Sequence, residues 1–418
     1  MGSNSLYKGL SYLLVFLLAA LSFPIIPAWI PPLQKIWVIL VMAFLAYAVL
    51  TQKISWGKST ACLLFYFIVL YFNAKTGDVL ISSTEIAIVE ILYLYVPSAV
   101  VLWCFVKDNN TFIKIVLFVS FAFFVIEAIC SFSILQVEPM IIRTLYKIST
   151  QEGDTGIMFE YYRIGLMDYS MGHAIPILIP PLFYAYKKVA STVKTKILLL
   201  TAIAGCVFLT WLSDSTTALM LAVLFLVIGF MTNVSDIRSN FRKLIVVGMI
   251  TLPIAASDDV QLAVLDAAET VLGSESVFAE KIEEFRYSIE NKGKMTGDMQ
   301  GRVDRYNTSL DMFFTNPLWG TNTKPGNHAS FIDRLGSFGL LGFIPLMLFF
   351  LYSLKRIAAY LPADSHVFFI QGIFAAMVML GTKGMWNWSM FYNLFILLPF
   401  IIYYTNRYYT NKICHKRY

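Results

Sequence analysis

Long apolar runs recur along most of this chain of 418 residues. Because a helix needs about 20 apolar residues to cross the hydrocarbon core of a bilayer, such runs predict membrane spans. Twelve candidate spans follow from this criterion: residues 9–30, 33–51, 59–74, 85–106, 111–133, 170–187, 194–213, 215–232, 243–257, 335–354, 365–383 and 389–405. The span over residues 170–187 contains Pro176, Pro180 and Pro181, so we expect a kinked helix there.

The composition is that of a membrane protein. Charged residues make up 14% of the chain and hydrophobic residues 58%, whereas soluble domains carry roughly 25% charged residues. The aromatic residues are abundant, as expected at membrane–water interfaces, and Trp386 and Trp388 are assigned to such a belt. We read the net charge of +6 as a bias of the cytoplasmic loops and expect no nucleic-acid partner. The predicted fold class is an all-α polytopic membrane protein with about 12 transmembrane helices.

Lys and Arg concentrate in alternate connections between these spans, for example in Lys187 and Lys188 and again in Lys355 and Arg356. The positive-inside rule assigns the basic connections, and both termini, to the cytoplasm. Two long connections then lie outside. The predicted organisation is listed by range: residues 1–257 form transmembrane helices 1–9 with an outer loop over 134–169, residues 258–334 form a periplasmic cap loop, and residues 335–418 form helices 10–12 and a basic tail.

The cap loop has the pattern of a small helical domain. Apolar residues recur at helical spacing in two sets, Phe278, Ile282, Phe285 and Ile289, and Val303, Tyr306, Leu310 and Phe313. We expect the second set to pack inward. Acidic residues outnumber basic ones in the loop, but basic residues cluster between Arg286 and Arg305 and form a local positive island.

Two arginines in this island share one predicted helix face. Arg302, Arg305 and Ser309 follow i, i+3, i+7 spacing. Guanidinium groups bind phosphate oxygens in a bidentate fork, so the pair suits a phosphate or diphosphate ligand. The alternative is that the arginines form surface salt bridges with Asp298 or Asp304.

Other polar residues near the predicted outer face are candidates for the same site. Arg163 and Asp168 precede span six, and His328 precedes span ten. Histidine is the commonest general base, although a loop histidine bonded to backbone is the alternative for His328. Glu127 lies in the outer half of span five and either binds sugar hydroxyls or forms an interhelical hydrogen bond while protonated. The four histidines lack the spacing of metal ligands, so we expect no metal.

Several motifs resemble those of the O-antigen ligase and polymerase superfamily, and most closely the Wzy-type polymerases of bacterial surface polysaccharides. They are R-x-x-x-Y over residues 302–306, NPLWGTN over 316–322, NHASFIDRLGSFGLLG over 327–342, and a weaker R-I-G over 163–165. About twelve spans with one large outer loop late in the chain also fit this family, which is GT-C-like.

The resemblance implies metal-independent glycosyl transfer, without a cofactor, at the periplasmic face of the bacterial inner membrane. The donor would be a glycan on undecaprenyl diphosphate and the acceptor a lipid-linked oligosaccharide repeat unit, with a chain-length regulator protein as a further partner. Arg163 and Arg302 fall where the family places arginines that handle the diphosphate, and His328 falls where ligases carry a histidine that activates the acceptor hydroxyl. The further substrate-binding candidates are Arg305, Tyr306, Glu127, Asp168 and Asp304.

Two alternatives stay open. One is an O-antigen ligase, which uses lipid A-core as the acceptor, and the other is a polysaccharide or ion transporter that uses the intramembrane acids. Transporters usually show internal pseudo-symmetry, and the two halves of this chain are dissimilar. The chain also departs from the family pattern: Tyr306 stands where members commonly carry Trp, and LSDSTTAL over residues 212–219 replaces a Ser-Arg pair.

Overall fold

The computed structural model of the chain is helical in every part that it describes. The described residues are 22–30, 57–76, 91–138, 140–151, 156–189, 192–213, 215–233, 262–263, 265–267, 269–270, 279–291, 297–321, 325–326 and 328–415. Within these ranges there is no β-strand, and the all-α prediction is confirmed for them.

The described residues form a series of α-helices. In order they are α1 (Ile25–Trp29), α2 (Lys58–Thr76), α3 (Val96–Val106), α4 (Asn110–Leu135), α5 (Ile141–Gln151), α6 (Gly156–Arg163), α7 (Tyr169–Ala174), α8 (Ile179–Val189), α9 (Val193–Leu212), α10 (Thr216–Met231), α11 (Ala279–Glu290), α12 (Gly297–Thr315), α13 (Ser330–Ala358), α14 (His366–Thr382), α15 (Trp388–Phe391) and α16 (Leu398–His415). Two π-helical turns, Ile91–Tyr95 and Tyr392–Leu397, lead into α3 and α16.

Among the described helices, five are long and apolar enough to cross a membrane, as expected of a multi-pass membrane protein. They are α4, α9, α13, α14 with the 3-10 turn before it, and the segment Trp388–Thr410. These five fill the predicted spans 111–133, 194–213, 335–354, 365–383 and 389–405. Shorter apolar helices in α2, α3 and α10 fall on the predicted spans 59–74, 85–106 and 215–232. The predicted spans 33–51 and 243–257, and most of 9–30, lie outside the described residues.

Short polar side chains mark the first residues of several helices. Asn109 caps α4 by accepting from the Phe112 amide at 3.2 Å, and Thr192 caps α9 by accepting from the Thr195 amide at 3.2 Å. Such a cap satisfies one of the backbone N–H groups that have no partner inside the helix. The apolar runs therefore begin as helices directly after these residues.

The proline-rich span six is broken, as its sequence predicts. A 3-10 turn, Ile175–Leu178, separates α7 from α8. Pro176 lies in this turn and has no N–H with which to continue the α-helical pattern. The break sets α7, which carries His173, apart from the rest of the span.

Ion pairs join several connections at one end of the bundle. Lys188, after α8, pairs with Asp364, before α14. Arg407 in α16 pairs with Asp108 at 2.5 Å, and the Tyr403 hydroxyl donates to the same carboxylate at 2.7 Å. These residues belong to connections and a tail that the charge pattern assigns to one side of the membrane.

The connection 134–169 folds into two helices that the sequence analysis did not predict. In α5, Ile142 and Leu145 are buried, and Tyr162 is buried in α6. The ring of Tyr146 lies 4.7 Å from that of Tyr169 at the start of α7. This connection is therefore packed against the bundle at the end opposite to the ion pairs.

The long helix α13 is interrupted at Gly339, which has φ 57° and ψ −166°. The turn over residues 316–320 enters this interruption. The carbonyls of Pro317 and Leu318 accept hydrogen bonds from the amides of Leu340 and Leu341 at 2.8 and 3.0 Å. The turn thus replaces part of the helix's own hydrogen bonding.

Glycines and one asparagine make this insertion possible. A Cβ at Gly339 would lie 2.4 Å from the Leu318 carbonyl oxygen, so a side chain cannot be accommodated. Asn73 of α2 is buried and donates from Nδ2 to the Trp319 carbonyl at 2.5 Å and to the Ser337 carbonyl at 3.1 Å. The turn, α2 and α13 are therefore joined at one point.

Candidate functional site

Helix α12 lies against the first turns of α13, and its buried face differs from the predicted one. Ser309 and Met312 are the buried residues of the helix, whereas Val303, Tyr306, Leu310 and Phe313 are only partly buried. A Cβ at Gly336 of α13 would lie 2.3 Å from the Ser309 carbonyl oxygen, so the two backbones are in close contact. The face of α12 that packs against α13 is therefore the one that contains Ser309, and not the predicted face.

A polar side chain occupies this buried position because it has partners. The Ser309 hydroxyl donates to Asp333 Oδ1 at 2.6 Å and accepts from the Gly326 amide at 2.9 Å. The second oxygen of Asp333 accepts from the Ala329 amide at 3.1 Å. Buried polar groups are tolerated when they are hydrogen-bonded in this way. The sequence analysis missed Asp333, although an acid in the first turn of a helix is a recognisable signal.

His328 lies in the segment that this cluster holds. Its ring centroid is 5.4 Å from that of Tyr306 on α12. The Tyr306 hydroxyl in turn donates to the Thr382 carbonyl at the end of α14 at 2.8 Å. Two candidates of the sequence analysis, His328 and Tyr306, are therefore brought together and joined to the end of a membrane span.

The Tyr306 hydroxyl is held in its neutral form. Burial raises the pKa of Tyr306, the positive charge of Arg302 lowers it, and the negative charge of Asp333 raises it again, with a net increase. A neutral phenol keeps the proton that it donates to Thr382. Tyr306 is therefore an anchor for α12.

Lys383 follows α14 and is a site residue that the sequence analysis did not single out. Its side chain is buried, with 8% exposure. Its carbonyl accepts from both the amide and the hydroxyl of Ser330, at 3.0 and 3.1 Å, which joins the end of α14 to the start of α13. A buried lysine at the end of a span is unusual enough to mark a site, because a buried ammonium group must be paired or solvated.

His173 lies in α7 and is fully buried. Helix α12 meets the end of α14 through the Tyr306–Thr382 hydrogen bond, which brings the turn that carries Arg302 near Lys383. Arg302 and Lys383 therefore form a pair of cations near one end of the bundle.

Hydrogen bonds determine the tautomer of His173. Its Nδ1 lies 2.9 Å from the Tyr169 carbonyl oxygen, which can only accept, so Nδ1 carries the proton. Its Nε2 lies 2.7 Å from the Ser215 hydroxyl, which therefore donates to it. Ser215 is also the N-cap of α10. His173 falls within the predicted span 170–187, and no sequence pattern connects it with Ser215.

The remaining polar residues of α12 point in other directions. Arg305 and Asp304 are exposed, and Asp304 accepts from the Gln300 side chain at 2.7 Å. Arg302 is partly buried on the side of the packed face. The structure therefore distinguishes the two arginines that the sequence placed on one face.

The predicted positive island is smaller than the sequence indicated. Arg286 of α11 pairs with Asp266 at 2.6 Å and with Glu269 at 2.7 Å. These acids come from outside the stretch in which the island was counted. The charge of Arg286 is therefore neutralised within the cap.

Arg163 lies at the end of α6 and contacts α1. Its Nε donates to the Ala28 carbonyl at 2.9 Å, and its own carbonyl accepts from Trp29 Nε1 at 2.8 Å. Its side chain is exposed. Arg163 is thus held by α1, whereas Arg302 lies on α12.

The two tryptophans before α16 have different environments. Arg334 lies with its guanidinium carbon 3.4 Å from the centroid of the Trp386 ring, a cation–π contact. Trp388 is 5% exposed and donates from Nε1 to Ser22 at 2.8 Å. The assignment of Trp388 to an interfacial belt was therefore wrong, because its indole is inside the bundle.

Glu127 and Asp168 belong to a separate cluster between α4 and the segment before α7, which the hydrogen bond from the Met167 amide to Ser131 joins. Glu127 of α4 is fully buried, whereas Asp168 is partly exposed. Asp168 accepts from the Tyr162 hydroxyl at 2.7 Å and from the Ser170 hydroxyl. Burial, Asp168 and Glu127 raise the pKa of Tyr162 well above its usual value. The Tyr162 hydroxyl therefore remains protonated and donates.

No protein-family model and no curated protein matches this chain. The possible chemistry must then follow from the side chains that the fold assembles. At the end of the bundle near α12, these are two cations, Arg302 and Lys383, an imidazole at His328 and the fully buried imidazole of His173. Such a set can bind an anionic group and accept a proton from a hydroxyl.

Proposed function

We propose that the chain is a polysaccharide polymerase, a glycosyltransferase that moves a glycan from undecaprenyl diphosphate onto a lipid-linked repeat unit. The observation that carries this proposal is the Tyr306–Thr382 hydrogen bond, which brings the α12 turn that carries Arg302 near Lys383, at the end of a membrane helix. An anionic group carried by a membrane lipid would meet both cations at that position. The motifs over residues 297–342 that resemble the polymerase family include Arg302 and Tyr306.

The cations match the charge that develops during such a transfer. When the sugar leaves undecaprenyl diphosphate, negative charge accumulates on the diphosphate oxygens. A guanidinium group binds two of these oxygens at once, and an ammonium group adds a compact charge beside it. Preorganised charges in a site that excludes water stabilise a transition state more strongly than charges in water. Arg302 and Lys383 are assigned this role.

His328 is assigned the role of general base. It contacts Tyr306, and the segment that contains it is held by the Ser309–Asp333 pair. The residue is partly exposed, but its Nε2 atom is buried, so Nδ1 is the nitrogen assigned to the acceptor hydroxyl. Proton transfer to a positioned base typically accelerates a reaction by about 10²–10⁴-fold. For Arg163, a role at the diphosphate rests on the family resemblance alone.

The proposal includes a topology. We infer about twelve spans in a GT-C-like arrangement, both termini in the cytoplasm and the site at the periplasmic face of the bacterial inner membrane. The ion pairs Lys188–Asp364 and Arg407–Asp108 support this orientation because they gather the connections assigned to the cytoplasm at one end. Tyr306, Lys383 and His328 lie at the other end.

The experiment that tests the function is a strain that lacks this chain, analysed by the banding pattern of its lipopolysaccharide or capsule. A polymerase predicts lipid A-core that carries a single repeat unit, and plasmid-borne wild-type chain should restore the ladder. Lipid A-core without any repeat, together with long lipid-linked glycan, would indicate a ligase instead. A strain with an unchanged polysaccharide pattern would overturn both assignments.

A further inference from the structure

The carboxylate of Glu127 is a buried ionisable group in the described part of the bundle whose charge needs compensation. The residue is fully buried in α4. Within the described residues, neither of its carboxylate oxygens has a hydrogen-bond partner. A bare carboxylate in an apolar environment is unstable, so either a proton or a cation must compensate its charge.

Glu127 belongs to a polar stripe on the buried face of α4. Ser120, Glu127 and Ser131 lie seven and four residues apart, so they share one helix face, and all three are buried. Ser120 is 2.7 Å from the Tyr392 hydroxyl. Ser131 accepts from the Met167 amide at 2.8 Å, which holds the segment before α7 against α4. Glu127 lies between these two satisfied hydroxyls.

Asp168 follows Met167 directly, and the Met167 amide bonds Ser131, one turn after Glu127 on α4, so Asp168 lies near Glu127. The two carboxyl groups differ in the hydrogen-bond donors that surround them. Asp168 accepts from two hydroxyls, those of Tyr162 and Ser170, and such donors favour its charged form. Glu127 has no such donor within the described residues. The carboxylate oxygens of the fully buried Glu127 and of the partly exposed Asp168 are therefore candidate ligands for a cation.

We propose that Glu127 and Asp168 together bind one monovalent metal cation of the Na⁺ type, with the hydroxyl oxygens of Tyr162 and Ser170 beside it. Carboxylate and hydroxyl oxygens are the ligands that hard cations prefer. The Glu127 carboxylate is closed to solvent, and a small ion can reach such a group more easily than a sugar can. The same oxygen set would be poor for a divalent ion: Ca²⁺ takes six to eight oxygen ligands, and the described residues contain no group of three or more acids, histidines or cysteines placed around one metal.

The cation would join α4 to the start of α7. The Asp168 carbonyl accepts from the Met171 amide at 3.1 Å and from the Gly172 amide at 3.4 Å, so Asp168 forms the first turn of the helix that carries His173. Binding between Glu127 and Asp168 would therefore fix the helix that carries His173. The inference does not depend on glycosyl transfer, because cation binding needs no glycan.

The test uses the purified full-length chain in lipid nanodiscs. Thermal unfolding is measured in NaCl and in N-methyl-D-glucamine chloride at equal ionic strength, since a ligand that binds only the folded state raises the melting temperature. We expect a saturable increase with Na⁺ for the wild type and no Na⁺-specific increase for Glu127→Gln. The matched control is Glu138→Gln, which removes one exposed carboxylate of the same region, the partner of Tyr161, and should keep the increase.

Equilibrium binding of ²²Na⁺ to the same nanodiscs provides the second measurement, which remains decisive if Glu127→Gln does not fold. We expect saturation at one ion per wild-type chain and competition by unlabelled NaCl. Equal melting temperatures in the two salts and no bound ²²Na⁺ for the wild type would overturn the proposal and assign a proton to Glu127. Unchanged ²²Na⁺ binding by a folded Glu127→Gln protein would also overturn it.

Discussion

The hydroxyl of Ser309 lies 2.6 Å from a carboxylate oxygen of Asp333, and this contact joins helix α12 to the first turn of α13. The same hydroxyl accepts the Gly326 amide at 2.9 Å, so the pair also fixes the segment that leads to His328. A cap helix, a loop and a membrane span are therefore held by one buried hydrogen-bonded cluster.

Replacing Ser309 by Ala should destabilise the protein. The substitution leaves a carboxylate oxygen of Asp333 and the Gly326 amide without this partner in a buried position. Leaving a buried group unsatisfied costs about 1–3 kcal/mol, which thermal unfolding of the purified protein in detergent would show as a lower melting temperature. The control is Thr308→Ala on the same helix, whose exposed hydroxyl donates only locally to the Asp304 carbonyl. Equal melting temperatures for the two variants would contradict the proposed importance of the cluster.

Replacing Gly339 by Ala should prevent normal accumulation of the folded protein. The residue has φ 57° and ψ −166°, a conformation that costs a residue with a side chain about 1–3 kcal/mol. The added Cβ would also meet the Leu318 carbonyl oxygen at 2.4 Å. Membrane yield and size-exclusion profile of a fluorescent fusion measure the effect. Gly381→Ala is the control, because no atom lies within 4 Å of a Cβ at that position; a normal profile for Gly339→Ala would contradict the insertion of the turn.

Removing the charge of Arg302 should abolish most transfer activity. If Arg302 stabilises the departing diphosphate, Arg302→Ala lowers the rate by about 10²–10³-fold, the usual cost of removing one electrostatic contact to a transition state. Arg302→Lys keeps a charge but loses the fork geometry, so we expect an intermediate rate. The assay is chain extension of a lipid-diphosphate-linked oligosaccharide by the purified protein.

Arg305→Ala is the matched comparison for this assay, because Arg305 lies one turn further along the same helix but is exposed. We expect a smaller loss for it than for Arg302→Ala. If the two variants lose activity equally, the distinction that the structure draws between the arginines has no functional meaning.

Replacing His328 by Ala should lower the rate without unfolding the protein. A general base contributes about 10²–10⁴-fold, and the imidazole of His328 is partly exposed beside Tyr306. His366→Ala is the control, because His366 lies at the opposite end of the bundle near the Ala358 carbonyl. Near-normal activity of His328→Ala would require a carboxylate base, and Asp304 would be the first to replace.

Replacing Tyr306 by Phe should lower the stability of the folded protein at neutral pH. It should also make the stability fall less steeply as the pH rises into the alkaline range. The hydrogen bond to Thr382 contributes about 0.5–1.5 kcal/mol. Because burial raises the pKa of Tyr306 above the ordinary value of 10.0, the neutral phenol is favoured in the folded state. Its contribution is complete below pH 10 and is lost as the pH rises through the raised pKa.

Thermal unfolding between pH 8 and pH 11 tests this prediction. The wild type should lose stability across the upper part of that range more steeply than Tyr306→Phe. Tyr287→Phe, which alters an exposed tyrosine of α11, is the control. Parallel pH profiles for the wild type and Tyr306→Phe would contradict the linkage.

The membrane helices were predictable because the bilayer leaves few alternatives. The predicted spans 111–133 and 365–383 correspond to α4 and α14 to within a few residues. In an apolar core every backbone N–H and C=O must be bonded internally, so a run of about 20 apolar residues becomes a helix. The break at Pro176 followed from proline's missing N–H in the same way.

The contacts of the candidate site were less accessible to sequence reasoning. Apolar spacing predicted that Tyr306 and Phe313 face inward, but the buried position belongs to Ser309. A serine can be buried here because Asp333, 24 residues later, accepts a hydrogen bond from its hydroxyl. Arg286 likewise pairs with Asp266 and Glu269, so its charge does not add to the predicted positive island. Such choices depend on partners distant in sequence, and neither periodicity nor local charge counting includes them.

The turn inserted at Gly339 has a consequence for biogenesis. Residues 316–320 leave the ribosome before the stretch of α13 whose amides they bond, Leu340 and Leu341. These residues can therefore form the two hydrogen bonds only after residues 339–341 have been synthesised and the interruption of α13 has formed. Packing of the turn is therefore completed only after α13 has formed. In a chain truncated before Gly339, the carbonyls of Pro317 and Leu318 would lack the amides of Leu340 and Leu341 that they bond.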